Sequence, residues 1–270
     1  MINNKFYCID AHCHIYPEKI AAAAVDNTDR FYGVTSAFAG TIDSLLLAGD
    51  NAGVDRFIVQ SVATTPKQVL KINDFIAESV QKYPDRFVGV GTLHPDSETL
   101  KEDVRHIVDL GFHGVKLHPD IQQFKIDDYR CLKIYELCEE NNLPVLMHTG
   151  DKRYDFSNPN RLLPILNIYK GLTVIGAHFG GYSVWETAAE ELAGTQNLYV
   201  DCSSSFFKMD ASFAKDLILK YGVDRVLFGS DFPMWDAKDD IKVLLDMNLS
   251  DDDYIKIFSE NAKKVYKITD

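Results

Sequence analysis

The segment Ile-Asp-Ala-His-Cys-His at residues 9–14 closes the first apolar run of the chain and places two histidines one residue apart. Alternate side chains of an extended strand face the same side, so we expect His12 and His14 to point together and Cys13 to point away. Two imidazoles at the carboxyl end of a strand supply half of a typical metal site. The His-x-His pattern also arises by chance, so its meaning depends on the rest of the chain.

Seven further short apolar runs follow, separated by longer amphipathic stretches. Strands that alternate with helices indicate parallel pairing through right-handed crossovers, and eight such units are typical of a closed barrel. We therefore predict one α/β domain over residues 1–270, a (β/α)8 TIM barrel. A doubly wound open sheet is the alternative, but no Gly-x-Gly-x-x-Gly follows the first strand. The predicted strands are 6–9, 56–61, 87–91, 114–117, 145–147, 173–177, 198–200 and 226–228.

A longer segment at about 17–40 interrupts the first strand-to-helix connection. We expect it to contain a short helix at about 21–25 and to cover part of the barrel mouth. Residues 251–267 are predicted to form one final helix, because acidic residues occupy its first turn and lysines its last. Other predicted helices begin near 42 or cover 67–83, 99–110, 129–141 and 211–221.

Composition narrows the classes of partner. The formal net charge is −12, which disfavours binding to nucleic acid or to an anionic membrane surface, so a small-molecule substrate is expected. The five cysteines are odd in number and form no Cys-x-x-Cys pair, so no disulfide framework is expected. No signal peptide or apolar run of membrane-spanning length is seen, which favours a cytoplasmic protein. A homodimer is the commonest symmetric assembly for such a chain.

Three more polar residues each close an apolar strand. His148 follows the fifth strand, His178 the sixth, and Asp231 comes just after the eighth. Barrel enzymes build their active sites at the carboxyl ends of their strands. Together with the two histidines near the N-terminus, these residues predict a metal site above the barrel.

The sequence resembles the amidohydrolase superfamily, and more narrowly the branch that contains aminocarboxymuconate-semialdehyde decarboxylase and many uncharacterised TIM-barrel hydrolases. The resembling motifs span nearly the whole chain in the expected order, and as a set they are specific for the superfamily but not for a substrate. They are Asp-Ala-His-Cys-His at 10–14, Gly-Val-Lys-Leu-His-Pro at 114–119, His-Thr-Gly at 148–150, His-Phe-Gly-Gly at 178–181, Gly-Ser-Asp-Phe-Pro at 229–233 and Ser-Glu-Asn-Ala at 259–262.

The resemblance implies that His12, His14, His148 and Asp231 bind one divalent ion and that His178 is the acid/base group. Asp231 is suited to accept a proton from a metal-activated water and to pass it on, so it is also a candidate catalytic residue. Zinc is the expected ion, since imidazole and carboxylate ligands with an open position suit it; manganese and iron are alternatives.

Lys116 has three interpretations. It shares a strand face with His118 and is expected to point inward. Its charge could pair with a carboxylate in the barrel mouth, it could hold a substrate carboxylate, or it could be carboxylated and bridge two ions, with His148 and His178 binding the second. The single-metal reading is favoured.

The candidate substrate-binding residues have weaker sequence support than the metal-site residues. Arg153 could hold a carboxylate in a bidentate manner, His118 precedes a proline that fixes its loop, and Trp185 could belong to an aromatic wall of the pocket. Asp10 is expected to face inward and to orient a ligand. Asp201 closes the seventh strand, where it could contact substrate or form a structural hydrogen bond.

These residues predict a metal-dependent hydrolase that acts on a C–N or C–O bond of a small carbonyl compound. The alternative is a lyase that decarboxylates or hydrates an unsaturated carboxylic acid, with His178 activating water or protonating carbon and Lys116 or Arg153 holding the carboxylate. A non-catalytic metal-containing binding barrel is a third hypothesis, from another class of function.

Overall fold

Parallel strands form the centre of the protein in the computed structural model, which describes residues 1–269. One hydrogen-bonded sheet has the order β1-β2-β3 and the other runs in sequence from β4 to β9. All pairs are parallel. The strands are β1 (Ile9–His14), β2 (Arg56–Gln60), β3 (Phe87–Gly89), β4 (Gly91–Thr92), β5 (Val115–Leu117), β6 (Val145–Met147), β7 (Val174–Gly176), β8 (Leu198–Asp201) and β9 (Val226–Leu227).

The two sheets close into one barrel. β3 and β4 are separated only by Val90, whose N–H donates to the carbonyl of Val59 at 3.0 Å, so they act as a single broken strand. At the other seam, the N–H of Ala11 donates to the carbonyl of Phe228 at 2.9 Å, and that of Asp231 to the carbonyl of His12 at 2.9 Å. The predicted eight-stranded (β/α)8 barrel is therefore confirmed.

Helices follow the strands and pack outside them. In residues 1–269 the α-helices are α1 (Glu18–Tyr32), α2 (Ile42–Ala52), α3 (Val69–Lys82), α4 (Leu100–Asp109), α5 (Pro119–Gln122), α6 (Tyr129–Glu140), α7 (Pro159–Ile168), α8 (Trp185–Leu192), α9 (Ala211–Tyr221), α10 (Ala237–Asp246), α11 (Asp251–Ile255) and α12 (Asn261–Tyr266). Short 3-10 turns cover Pro66–Gln68 and Val223–Arg225. No helix in this described part combines the length and apolar character needed to cross a bilayer.

The core has two layers. Outward-facing strand residues such as Phe57 and Val115 pack against the helices. A smaller cluster fills the barrel interior, with Leu146 and Ile175 paired across neighbouring strands and Tyr266 of α12 packed among them. Because Lys116 pairs in register with Leu146, it shares the inward face, as the sequence predicts. The barrel is thus filled at one end and presents polar groups at the other.

Three local predictions are wrong. The helix of the first connection is the 15-residue α1, far longer than residues 21–25. The first strand covers Ile9–His14 and not residues 6–9; Phe6 forms only an isolated bridge with Ile2, and the apolar run stops at Ile9 because the buried polar residues Asp10 and His12 follow it. Asp10 was expected to face inward, but it pairs with Phe57 on the outer face. The register shifts between Asp10 and Cys13, so Asp10 and His12 do not share one face of the strand.

The final helix is also not uniform. A π-helical turn over Lys256–Glu260 separates α11 from α12. The carbonyl of Ile257 accepts the N–H of Phe228 at 2.9 Å, and the N–H of Asn261 instead donates to the carbonyl of Lys256. The turn therefore contains one residue more than an α-helical turn, at the point where the carbonyl of Ile257 accepts a hydrogen bond from the barrel residue Phe228.

Candidate active site

The polar strand ends converge on a cavity of about 720 Å³ at the carboxyl end of the barrel. Its inner wall combines residues from five strand ends with one from the loop after β5. These residues are His12, His14, Lys116, His118, His148, His178 and Asp231. All the metal and catalytic residues expected from the sequence thus line one cavity, and most are almost fully buried.

His12, His14 and Asp231 form the tightest group. Nε2 of His12 lies 3.3 Å from Nε2 of His14 and 3.3 Å from Oδ1 of Asp231, and Nε2 of His14 lies 3.6 Å from the same oxygen. Three atoms so spaced can all lie about 2.0–2.1 Å from one ion, the distance typical of imidazole and carboxylate ligands. The three residues therefore fit a divalent metal ion.

Asp201 orients His12. Its Oδ2 lies 2.9 Å from Nδ1 of His12, while its Oδ1 accepts the hydroxyl of Ser203 and the backbone N–H of His178. The imidazole therefore donates through Nδ1 and turns the lone pair of Nε2 toward the cavity, as metal-binding histidines typically do. Nζ of Lys116 lies 3.1 Å from that Nε2.

His148 and His178 form a second, linked pair. Nδ1 of His178 lies 3.0 Å from the carbonyl of Ser203, which can only accept, so the proton of His178 is on Nδ1. Its Nε2 must then accept from Nδ1 of His148, 3.0 Å away. The proton of His148 is thereby fixed, and its buried Nε2 keeps a lone pair with no hydrogen-bond partner. Such an atom fits a metal ligand.

His148 does not join the tight group, however. Its Nε2 lies 3.4 Å from Oδ2 of Asp120, and its ring stacks on that of His118 at 4.0 Å with an interplanar angle of 8°. His118, Asp120 and His148 are close enough to be considered as a metal group. Parallel stacked rings do not direct their in-plane lone pairs to one point, so this trio is the poorer fit.

Burial controls the electrostatics of the cavity. Desolvation lowers the pKa of Lys116 to about 8 and that of His178 to about 4. Burial alone would raise the pKa of Asp231, but His12, His178, His14 and the Ser204 hydroxyl together hold it below its usual range. Two of these groups, His178 and Asp231, also have positive φ values, 61° and 63°. Strained backbone at such non-glycine positions is often found at functional sites.

Two predicted substrate-binding residues lie elsewhere. Arg153 and Trp185 are not among the residues lining the cavity. The guanidinium of Arg153 pairs with Asp151, with Nη2 2.7 Å from Oδ2, and it donates to the carbonyl of Phe31. Trp185 begins α8 and packs against the outer core and Tyr182. Their roles toward substrate remain predictions.

Several residues of the site were not expected. Asp120 and Ser204 gave no signal, because neither closes an apolar strand. Ser203 lies two residues after the strand-closing Asp201, which is the only hint of its place. Tyr32 reaches the cavity from α1, and its hydroxyl is 2.8 Å from Nε2 of His118. A long insertion before the second strand was the available clue for Tyr32.

Comparisons with known proteins agree with this architecture. A family model described as Amidohydrolase matches residues 9–268. A 97-residue segment, 35% of this chain, is 32% identical to 2-amino-3-carboxymuconate-6-semialdehyde decarboxylase of Dictyostelium discoideum. That match spans only 27% of the Dictyostelium protein. Gamma-resorcylate decarboxylase of Rhodococcus jostii is 23% identical over 252 positions, which cover 73% of this chain and 76% of that protein.

Solved structures share the fold. An uncharacterised TIM-barrel protein of Bordetella bronchiseptica superposes with a TM-score of 0.81 at 22% identity, over 97% of this chain and 99% of the other. A dihydroxybenzoic acid decarboxylase of Polaromonas, solved with manganese and the inhibitor 2-nitroresorcinol, gives a TM-score of 0.75 at 20% identity, over 97% of both chains. At these identities the likeness establishes the fold alone.

Proposed function

The chain belongs to the amidohydrolase family, and on that premise we propose that it is a metal-dependent decarboxylase of a small aromatic or unsaturated carboxylic acid. The curated relatives reported above are both named as decarboxylases. The hydrolysis of a C–N or C–O bond, which the sequence favours, therefore gives way to its lyase alternative. A non-catalytic barrel finds no support among these relatives.

The observation that carries the proposal is the environment of Lys116. Its side chain is 1% exposed, and within residues 1–269 no carboxylate oxygen lies within 4.0 Å of Nζ. The ion pair that the sequence left open is thus not observed. A buried ammonium group is costly unless an anion accompanies it. A substrate carboxylate entering the cavity supplies that anion.

The metal would be held by His12, His14 and Asp231, and the buried Nε2 of His148, which has no hydrogen-bond partner, is the candidate for a fourth ligand. When bound, a divalent ion supplies Lewis-acid polarisation of a substrate oxygen. We propose a single ion and an unmodified Lys116. The donor set suits zinc, manganese or iron, and the Polaromonas structure contains manganese.

The protein side chains then handle the carboxylate and the proton. Lys116 holds the acid against the inner wall. The bond between carbon and carboxylate breaks, its electron pair stays on carbon, CO2 leaves, and a proton is added to that carbon. We assign the proton transfer to His178: its Nε2 takes a proton from solvent and gives it to that carbon, which returns the ring to the neutral form that burial favours, while the Ser203 carbonyl holds the ring through Nδ1.

The test is a product assay. Protein reconstituted with Mn²⁺ is incubated with hydroxybenzoic and unsaturated carboxylic acids, and released CO2 is measured alongside amine or alcohol release from amides and esters. We expect CO2 from at least one acid, abolished in the Lys116→Met variant and retained in Lys101→Met, which changes an exposed lysine outside the cavity. Hydrolysis of an amide or ester without CO2 release from any acid would contradict the proposal.

A further inference from the structure

The cavity continues well beyond the reacting groups. Its outer part is a cleft between α1 and α3, lined by one face of each helix. On α1 the lining residues recur at helical spacing at positions 20, 24, 27, 28 and 31; on α3 they recur at 71, 72 and 75, preceded by 68. Residues three or four apart share one face of a helix, so two helical faces oppose each other across open space.

These faces are largely apolar. Ile20, Ala24 and Phe31 line the cleft from α1, and Ile72 and Phe75 line it from α3. Ile20 is 49% exposed, and the other four are partly exposed rather than buried. In α1 as a whole, Ala21 is the one fully buried residue among the described positions. The apolar side of α1 therefore faces the cleft, and at its end Phe31 also packs against Tyr154 and the guanidinium of Arg153.

The mouth of the cleft is positively charged. Lys19 of α1 and Lys71 of α3 both line it and are exposed, and within residues 1–269 neither forms an ion pair with a carboxylate. The charged residues of the whole cavity wall are three lysines and one aspartate, although the chain has a net charge of −12. Such a local reversal of charge attracts an anionic ligand.

The size of the cavity points the same way. Pockets of roughly 300–1,000 Å³ hold drug-sized ligands, and this one measures about 720 Å³. A single-ring acid bound by Lys116 would leave the cleft between α1 and α3 unfilled. An apolar chain attached to that ring would cover exposed side chains of both helices.

We propose that the substrate is an elongated acid with two anionic ends. Its reacting carboxylate lies at Lys116, an apolar extension fills the cleft between α1 and α3, and a second anionic group, a carboxylate or a phosphate, is held by Lys19 and Lys71. This substrate class rests on the proposed decarboxylase function for its reacting end only; the cleft is argued from its own residues.

Binding measurements test the proposal apart from turnover. Dissociation constants are measured by calorimetry on the Mn²⁺-loaded protein for four probes: salicylate, hexylsalicylate, and salicylates whose chain of equal length ends in carboxylate or phosphate. We expect the hexyl probe to bind at least about tenfold more tightly than salicylate, from burial of the chain. At least one anion-ended probe should bind about threefold to tenfold more tightly again.

Variants show which residues cause the gain in affinity from the apolar chain and which cause the gain from the anionic end. Lys19→Gln with Lys71→Gln should remove the gain from the anionic end and leave the hexyl probe unchanged. The matched control, Lys101→Gln with Lys220→Gln, changes two exposed lysines that do not line the cavity and should alter neither. Ala24→Phe fills the cleft and should weaken the three extended probes but not salicylate.

Equal affinity for all four probes would overturn the proposal, as would equal losses in the lysine and control variants. Absence of any binding by the extended probes would also overturn it. Tight, lysine-dependent binding of an extended probe without CO2 release would support the cleft assignment and count against decarboxylation, so the two failures are distinguishable.

Discussion

Nδ1 of His12 lies 2.9 Å from Oδ2 of Asp201, although 189 positions separate the two residues in the sequence. The same carboxylate accepts the backbone N–H of His178 at 3.0 Å. One buried aspartate thus orients the metal-facing histidine of β1 and holds the start of the turn that carries the proposed proton donor. Both halves of the site depend on it.

The first prediction concerns metal affinity. Asp201→Asn removes the charge that stabilises the Nδ1–H of His12, and we expect Mn²⁺ affinity to fall about 10- to 100-fold. Competition titration against a fluorescent chelator measures it. Asp216→Asn, which changes an exposed aspartate of α9, is the control. Unchanged affinity in Asp201→Asn would show that this hydrogen bond does not tune the site.

The second prediction separates proton transfer from metal binding. His178→Asn should lower the rate of CO2 release by about 10²- to 10⁴-fold, the usual contribution of a positioned acid, while metal content per chain stays the same. Steady-state rates and metal analysis on one preparation check it, with His106→Asn as control, because His106 is a half-buried residue of α4 that pairs with Asp74 and does not line the cavity. Loss of metal in His178→Asn would instead make His178 a ligand.

The third prediction concerns Arg153. Its guanidinium lies 5.0 Å from the ring centre of Phe31 and 5.2 Å from that of Tyr32, so it anchors the end of α1 over the cavity. Arg153→Gln should speed chymotrypsin cleavage within α1 several-fold, since local opening becomes easier. Arg105→Gln, whose side chain is 82% exposed, should not. A raised KM with unchanged proteolysis would favour the substrate-binding role that the sequence suggests.

The fourth prediction is a dependence of stability on pH. Asp240 is 8% exposed, its Oδ2 has no hydrogen-bond partner, and burial raises the pKa of its carboxyl well above the usual value. The folded state therefore binds this proton more tightly than the unfolded state. Its contribution to stability falls as pH rises from about 4, where an unfolded aspartate titrates, through the raised folded pKa.

The Asp240→Asn variant has no carboxyl group to ionise at this position, so its stability should not fall with rising pH for this reason. At pH 8 we expect the variant to have a free energy of unfolding about 1 kcal/mol above that of the wild type, with the gap narrowing at pH 5. Urea unfolding at both pH values measures the difference, and Asp239→Asn, an exposed neighbour, is the control. An equal gap at the two pH values would show that Asp240 is not the titrating group.

The barrel and the convergence of its polar strand ends were predictable from the sequence, because period and spacing carry that information. His12 and His14 lie at the end of β1 and Asp231 in the segment just after β9, and the parallel pairing of the strands brings these segments together. The exact grouping was not predictable. His148 turns toward His178 and Asp120, and this depends on side-chain rotation and ring stacking rather than on position along a strand.

The walls of the cavity were the least predictable part. Ala24 and Phe31 are ordinary helix residues in the sequence, and only the placement of α1 opposite α3 shows that they line a cleft. The insertion was expected to cover the barrel mouth with a short helix at about 21–25. Its helix instead runs from Glu18 to Tyr32, because no glycine or proline interrupts residues 18–32. The role of Arg153 depends on Phe31 and Asp151, partners that no sequence spacing reveals.

The most direct test of the proposed centre is metal content per chain by plasma mass spectrometry, on protein purified without added metal or chelator. Wild-type protein and the His14→Ala and His106→Ala variants are compared. The structure predicts about one divalent ion per chain in the wild type and in His106→Ala, and a large loss in His14→Ala. No ion in the wild type, even after reconstitution, or full retention in His14→Ala, would contradict a metal centre at His12, His14 and Asp231.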